Sequence, residues 1–340
     1  MSTLRCEQLQ KSYGTQMILN EVSFTVPGGK CLALMGESGA GKTTTLRMLA
    51  GLEIPDHGKV FLDDAEITSL PPARRSMAMV FQTASLFPHT TVAHNITYGM
   101  VKLGYSKAEI DTRLHEVAVL LNIEDQLDRY PGTLSLGQAQ RADIARALIR
   151  DPGVLLLDEP FSSLDQAIKE ELLSELRAIL RVHPITMVYV THSAEDAFEL
   201  ADEIAFLDQG KVMVQTQPED LSRHPVSVKC ALMMHPKLTI VEGEEHNGVW
   251  TSQGVTLPHR TRGMDGPLLL GILPEHTMPG TDFRGPLLGQ VPSPSGILQR
   301  VSFLDKELLV HGTLHNNEVE FSISGDQCFL FDGNTGSLIL

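Results

Sequence analysis

Short apolar runs recur along the first two thirds of the chain, at Lys30–Met35, Lys59–Leu62, Met77–Phe81, Val154–Leu157, Ile185–Val190 and Ile204–Leu207. Segments of helical pattern alternate with them, which predicts an α/β domain around a largely buried sheet. From Thr91 to Arg150 the helical pattern dominates, as in Lys107–Leu121, and predicts a helical subdomain inserted at about 84–150. Beyond Cys230 the pattern changes to short alternating runs, Gln299–Phe303, Leu308–Gly312 and Val319–Ile323, separated by turn-forming residues. Half of the 28 glycines and the only tryptophan, Trp250, also fall in this last third. These features predict a small all-β domain at 231–340 after a larger α/β domain at 1–230. The link around Arg223–Pro236 holds two His-Pro pairs and is expected to be extended in places.

At 340 residues the chain is long for one compact unit, in keeping with two domains. A mean hydropathy near zero and the lack of any run of ~18 apolar residues argue against a membrane span. The first ten residues lack the charged-then-apolar profile of a secretory signal, so the expected location is the cytosol. A formal charge of −15 argues against a primary nucleic-acid role, because neutralising phosphates calls for a basic face. Cys6, Cys31, Cys230 and Cys328 are scattered and form neither a metal-ligand spacing nor a disulfide framework.

The sharpest chemical feature is Gly36-Glu37-Ser38-Gly39-Ala40-Gly41-Lys42-Thr43, a GxxxxGK[ST] loop after an apolar run and before a helical segment, Thr44–Ala50. Its glycines let consecutive backbone N–H groups curl round phosphate oxygens, and the helix that follows adds its positive end. In this pattern Lys42 reaches the β- and γ-phosphates, Thr43 holds Mg²⁺, and Thr44 continues the phosphate contacts. The run Val154–Leu157 ends in Asp158-Glu159-Pro160. Behind a phosphate loop, Asp158 is placed to orient the Mg²⁺ water shell and Glu159 to polarise the attacking water.

Leu134-Ser135-Leu136-Gly137-Gln138, followed by Ala139–Leu148, resembles the LSGGQ signature of the ABC ATPase family. Ser135 also sits where a helix N-cap would be, so capping alone accounts for it equally well. The resemblance implies that Ser135, Gly137 and Gln138 bind the γ-phosphate of ATP held by a second copy of the chain. Leu136 departs from the signature's first glycine. Other residues fit the family in order: Tyr13 as the aromatic that stacks on adenine, and Gln82 as the glutamine touching Mg²⁺ and the attacking water. Ser162-Ser163-Leu164-Asp165 is similar to the D-loop, with Asp165 at the shared site, and His192 matches the switch histidine at the γ-phosphate. The fold implied is a P-loop NTPase of the ABC type, the cofactors are ATP and Mg²⁺, and the active unit is a head-to-tail homodimer.

Ser85-Leu86-Phe87-Pro88-His89-Thr90-Thr91-Val92 narrows the resemblance to importers of the maltose, polyamine and ferric-ion group. That group implies docking of two transmembrane permease subunits beside this segment, a peripheral place on the cytoplasmic side of the cell membrane, and an extracytoplasmic solute-binding protein acting indirectly. Leu270–His276 and Cys328–Asp332 resemble parts of its C-terminal regulatory domain, commonly an oligonucleotide/oligosaccharide-binding-like barrel, with Leu273 where an arginine is usual. Ser193 and Ala194 likewise stand where Asp and Gln are frequent. Three rival readings are an ABC protein of DNA repair or translation, a P-loop kinase and a nucleotide-gated regulator. The first usually brings a coiled-coil insertion or tandem cassettes, the second leaves the signature and His192 without purpose, and the third sits poorly with an intact Glu159.

Overall fold

The computed structural model describes residues 1–246, 249–258, 266–324 and 327–339 and divides into two compact units, Met1–Pro218 and Glu219–Leu340. In the first unit, β1 (Leu4–Tyr13), β2 (Gln16–Val26), β3 (Cys31–Met35), α1 (Lys42–Ala50), β4 (His57–Leu62), β5 (Ala65–Glu66) and β6 (Met77–Val80) precede the helices α2 (Val92–Leu103), α3 (Lys107–Leu120) and α4 (Leu136–Leu148). Then follow β7 (Val154–Asp158), α5 (Gln166–Val182), β8 (Thr186–Val190), α6 (Ala194–Leu200), β9 (Glu203–Asp208) and β10 (Lys211–Thr216).

A six-stranded sheet runs in the order β10-β9-β3-β8-β7-β6, parallel throughout except for β10. Its inner strands β3, β7 and β8 are buried at every residue. Both faces are covered, which is why these strands read as unbroken apolar runs. Side chains alternate between two cores. Leu155 and Leu157 of β7 join Val92, Ile96, Ile144 and Leu173 of the helices, while Val154 and Leu156 join Leu46 and Leu49 of α1 and Leu9 and Val60 of β1 and β4. The second sheet, β2-β1-β4-β5, is antiparallel and was not foreseen. Its long strands β1 and β2 bury only part of their residues and carry no continuous apolar run; of its members only β4, through Lys59–Leu62, showed one.

Helix α3 ends one residue before the predicted limit and opens with a capping box, in which the Ser106 hydroxyl accepts from the Glu109 N–H and Glu109 reaches back. Arg75, at the foot of β6, is 2% exposed and donates to the carbonyls of Met48, Leu49, Thr68 and Leu70 at 2.6 to 2.9 Å. It thereby closes the C-terminal end of α1.

The second unit contains α8 (Val228–Met234), after the short α7 (Pro218–Arg223), and then β11 (Thr239–His246), β12 (Val249–Ser252), β13 (Val255–Pro258), β14 (Gly266–Ile272), β15 (Thr277–Ser293), β16 (Gly296–Phe303), β17 (Lys306–Val310), β18 (Thr313–His315), β19 (Glu318–Ile323) and β20 (Phe329–Asp332). Two antiparallel five-stranded sheets, β13-β12-β11-β14-β20 and β17-β16-β15-β19-β18, share one core around Trp250, Leu270, Val301 and Phe321. The division falls before Glu219, earlier than the expected break after residue 230. Residues before the expected break already join the second unit: Val228 donates its N–H to the Gly336 carbonyl at 2.9 Å and packs on the cluster of Ala231, Leu238, Leu273 and Phe331. Leu273, at the position where the importer group has arginine, is thus an apolar core residue, 5% exposed. No helix among the described residues is long and apolar enough to cross a membrane.

Candidate active site

Because β3, β8, β7 and β6 are parallel neighbours, their carboxyl ends lie along one edge of the sheet, the edge where open parallel sheets take ligands. The four segments leaving that edge are Gly36–Gly41 after β3, His192 after β8, Asp158-Glu159 closing β7, and Gln82 after β6. Residues separated by more than 100 positions are brought together by strand order alone.

The loop after β3 holds its glycines in conformations that L side chains rarely adopt, with φ of 156° at Gly36, 83° at Gly39 and 104° at Gly41. At Gly36 a Cβ would stand 2.2 Å from the Leu207 carbonyl oxygen of β9, so backbone-to-backbone approach also demands glycine there. Glu37, Ser38 and Gly39 are exposed, whereas Ala40 is buried beneath them. The helix begins at Lys42, two residues before the predicted start, and Thr44 lies in its first turn. Lys42 is 6% exposed, and its Nζ donates to the carbonyls of Gly36 (2.8 Å) and Glu37 (2.9 Å). Burial lowers the lysine's pKa, opposed by the charges of Glu159 and Asp158. Lys42 Nζ lies 4.0 Å from Glu159 Oε1.

Thr43 Oγ1 donates to Asp158 Oδ1 at 3.0 Å. Burial pushes the Asp158 carboxyl up, and the Thr43 hydroxyl bond opposes that shift. The two oxygens form a hard-donor pair beside the phosphate loop, a set that suits Mg²⁺. Glu159 adopts a left-handed backbone, φ 46°, with its N–H on the Val190 carbonyl at 3.1 Å. That turn lifts the side chain off the end of β7, and Oε2 lies 3.4 Å from His192 Nδ1. Gln82 Nε2 donates to Ser162 Oγ (3.3 Å), whose hydroxyl donates to the Glu159 carbonyl (3.0 Å). Thus Lys42, Thr43, Asp158, Glu159, His192 and Gln82 form one connected group.

The remaining expected residues sit differently. Tyr13, 49% exposed at the end of β1, donates its hydroxyl to Glu53 and has Lys11 Nζ 5.7 Å from its ring centre. Ser135 caps α4: its Oγ accepts from Gln138 N (3.3 Å), and Gln138 Oε1 accepts from Ser135 N (3.0 Å). Gly137 is buried, and a Cβ there would meet Ile168 at 3.0 Å, while Leu136 stands 51% exposed between them. Within one chain, then, Ser135 and Gln138 satisfy each other as helix caps. Asp165 is exposed at the start of α5. Sequence reasoning missed Lys169, Tyr189 and Asp196, which share the walls of a cavity of about 160 Å³ with Glu159 and His192. One signal could have found them, since a tyrosine inside a wholly buried strand needs a polar partner for its hydroxyl.

Residues 19–162 match the family described as ABC transporter. The sn-glycerol-3-phosphate import ATP-binding protein UgpC of Jannaschia sp. is 40% identical over 77% of this chain and 76% of its own length. The maltose/maltodextrin import ATP-binding protein MalK of Photorhabdus laumondii is 34% identical over 94% of this chain and 88% of its own. Among solved structures, cbiO1 from Clostridium perfringens, part of the ABC transporter complex cbiONQ, superposes with a TM-score of 0.60 at 27% identity, over 64% of this chain and 89% of that one. With the phosphate loop, the Asp158-Glu159 pair and His192 on one sheet edge, the chain belongs to the ATP-binding subunits of importer-type ABC transporters, and it is an ATPase.

Proposed function

We propose that two copies of this chain close head to tail on ATP and that closure drives solute import through two membrane permease subunits. The observation that carries the chemistry is the connected group at the sheet edge, in which Glu159 lies 4.0 Å from Lys42 Nζ and 3.4 Å from His192 Nδ1. Phosphoryl transfer asks little covalent chemistry of a protein and depends on position and charge. Lys42 leaves its two loop carbonyls for the β- and γ-phosphate oxygens. Glu159 orients the attacking water and takes its proton, and His192 faces the γ-phosphate. Thr43 and Asp158 would hold Mg²⁺, which supplies charge neutralisation at the phosphate oxygens when bound. Tyr13 offers its exposed ring to adenine once the bond to Glu53 loosens.

The dimer gives a task beyond helix capping to residues at two helix starts. Ser135, Gly137 and Gln138 at the start of α4, with Asp165 at the start of α5, complete the site of the opposite copy in this reading. The segment 85–92 meets the permease, so the ATPase works at the cytoplasmic face of the membrane without crossing it. UgpC and MalK bear different cargo in their names while matching the same ATPase. In this proposal cargo choice therefore lies in the permease and an extracytoplasmic binding protein.

Replacing Glu159 by Gln keeps the shape and removes the carboxylate that orders water and takes the proton. General-base loss lowers turnover by about 10²–10⁴. The variant should bind ATP, turn it over at least a hundredfold more slowly and run as a dimer with ATP on size exclusion. Wild-type turnover, or an ATP-loaded monomer, would sink the reading.

A further inference from the structure

Tyr189 lies in a strand whose residues are all buried, yet its hydroxyl donates to Asp196 Oδ2 at 2.9 Å. The same oxygen accepts from Thr191 Oγ1 at 3.1 Å. The second oxygen, Oδ1, lies 2.5 Å from Lys169 Nζ of α5. Asp196 itself is 4% exposed. Two further bonds knit the turn: Ser193 N donates to Thr191 Oγ1 (3.0 Å), and Asp196 N to Ser193 Oγ (3.2 Å). The residues on both sides of His192 are therefore held by Asp196. His192's own side chain is 63% exposed and gains little from packing. On the other side, Lys169 N donates to the Asp165 carbonyl at 3.0 Å, so the lysine stands one turn into the helix that follows Ser162–Asp165.

We infer that Asp196 is the positioning residue for His192, and that its ion pair with Lys169 makes the His192 turn and the Ser162–Asp165 segment move as one piece. A buried carboxylate that accepts two hydroxyl bonds on one oxygen and faces an ammonium with the other has one favoured orientation, because breaking any of these contacts leaves charge or hydroxyl unpaired away from water. The turn that carries His192 inherits that orientation. Ser162, in turn, holds Gln82 and the Glu159 carbonyl, so a shift of α5 reaches every group at the γ-phosphate end of the site. This inference rests on the reading that Glu159 and His192 act at the γ-phosphate.

The two halves of the network can be cut separately. In Asp196→Asn the amide oxygen still accepts from Tyr189 and Thr191, while its NH₂ faces Lys169, so the substitution is combined with Lys169→Met to leave no unpaired buried charge. For K169M/D196N, kcat for ATP should fall at least tenfold with KM and fluorescent-nucleotide affinity within twofold of wild type. K169R, which keeps the ion pair, should retain wild-type kcat. K169Q, at a position only partly buried, keeps a donor for Asp196 and serves if the double variant is insoluble, with the same split expected. A kcat within twofold of wild type in K169M/D196N or K169Q would overturn the inference, as would a fall in K169R as deep as in K169Q. His192→Ala is run beside them. Full activity in that variant removes the underlying reading, whereas a dead H192A with an unimpaired K169Q removes the coupling alone.

Discussion

Replacing Arg75 by Met should cost this protein more stability than any exposed substitution, although the residue belongs to neither the phosphate loop nor the Asp158-Glu159 pair. Its guanidinium makes four short bonds to backbone carbonyls, two of them to the last turn of α1 and the others to the Thr68–Leu70 stretch. Bonds from a charged donor contribute roughly 1.5–3 kcal/mol each, and burying the charge takes back several kcal/mol, so their sum overstates the net effect. The burial shows in the arginine's lowered pKa, whose cause is desolvation. Methionine keeps much of the stem's packing but leaves the Leu49, Thr68 and Leu70 carbonyls without the arginine's N–H groups, while Met48 keeps the Gly51 N–H; at about 1–3 kcal/mol for each buried acceptor left unpaired, a loss of about 3 kcal/mol or more follows. With a urea slope of about 3 kcal/mol/M, the midpoint of the helical circular-dichroism transition should fall by at least about 1 M. Trp250 is the sole tryptophan, so its fluorescence reports the Glu219–Leu340 unit separately in the same titration. Arg75→Lys should recover only part of the loss, because one ammonium cannot span the four acceptors. A shift corresponding to less than about 1 kcal/mol in R75M would refute the argument.

Gly36→Ala places a Cβ 2.2 Å from the Leu207 carbonyl in a left-handed backbone; the variant should lose about 2 kcal/mol or more of stability and at least tenfold in ATP affinity, read by thermal melting and nucleotide titration. Unchanged affinity would show that the loop geometry does not depend on that approach. Leu136→Gly removes an exposed side chain beside the proposed second-copy contact and should raise ATPase turnover while costing no more than about 1 kcal/mol in stability; an equal or slower rate would show that Leu136 does not restrain closure. Burial raises the thiols of Cys6, Cys230 and Cys328 to about 12 and pushes Cys31 up as well. A thiol at 12 is about 10⁻⁴ thiolate at pH 8, against roughly a quarter for a free cysteine, so a thiol reagent should label the native protein only after denaturant is added. Rapid labelling without denaturant would contradict that burial.

The inner strands were legible because burial on both faces leaves an uninterrupted apolar run, as in Val154–Asp158. Of the antiparallel sheet only β4 was legible, through Lys59–Leu62; β1 and β2 were not, since these half-buried strands mix polar and apolar positions. Motif spacing located Lys42, Thr43, Asp158 and Glu159, whose chemistry depends on residue type at fixed offsets. Strand order then placed His192 and Gln82 beside them, which no local window reveals. Arg75 sits in an Arg-Arg pair that reads as surface, and only the closing of α1 against it explains its burial. The compact units divide earlier than the break expected after residue 230, because Ser227 and Val228 pair with Ser337 and Gly336, a contact across more than 100 residues that no local pattern shows. Lys169 and Asp196 are far apart in the chain and became visible only once α5 and α6 were packed.

The bonds from Lys42 to the Gly36 and Glu37 carbonyls carry a thermodynamic consequence. In the proposed binding mode a nucleotide meets no bare cation and exchanges itself for two acceptors that the loop already supplies. Measured affinity is then the difference between two bonded states. A weak acceptor such as chloride gains little by that exchange, whereas a doubly charged phosphate gains much. In that binding mode the loop discriminates among anions through the partners its lysine gives up, and binding should be accompanied by a local loosening of the Gly36–Glu37 backbone that heat-capacity and hydrogen-exchange measurements can follow.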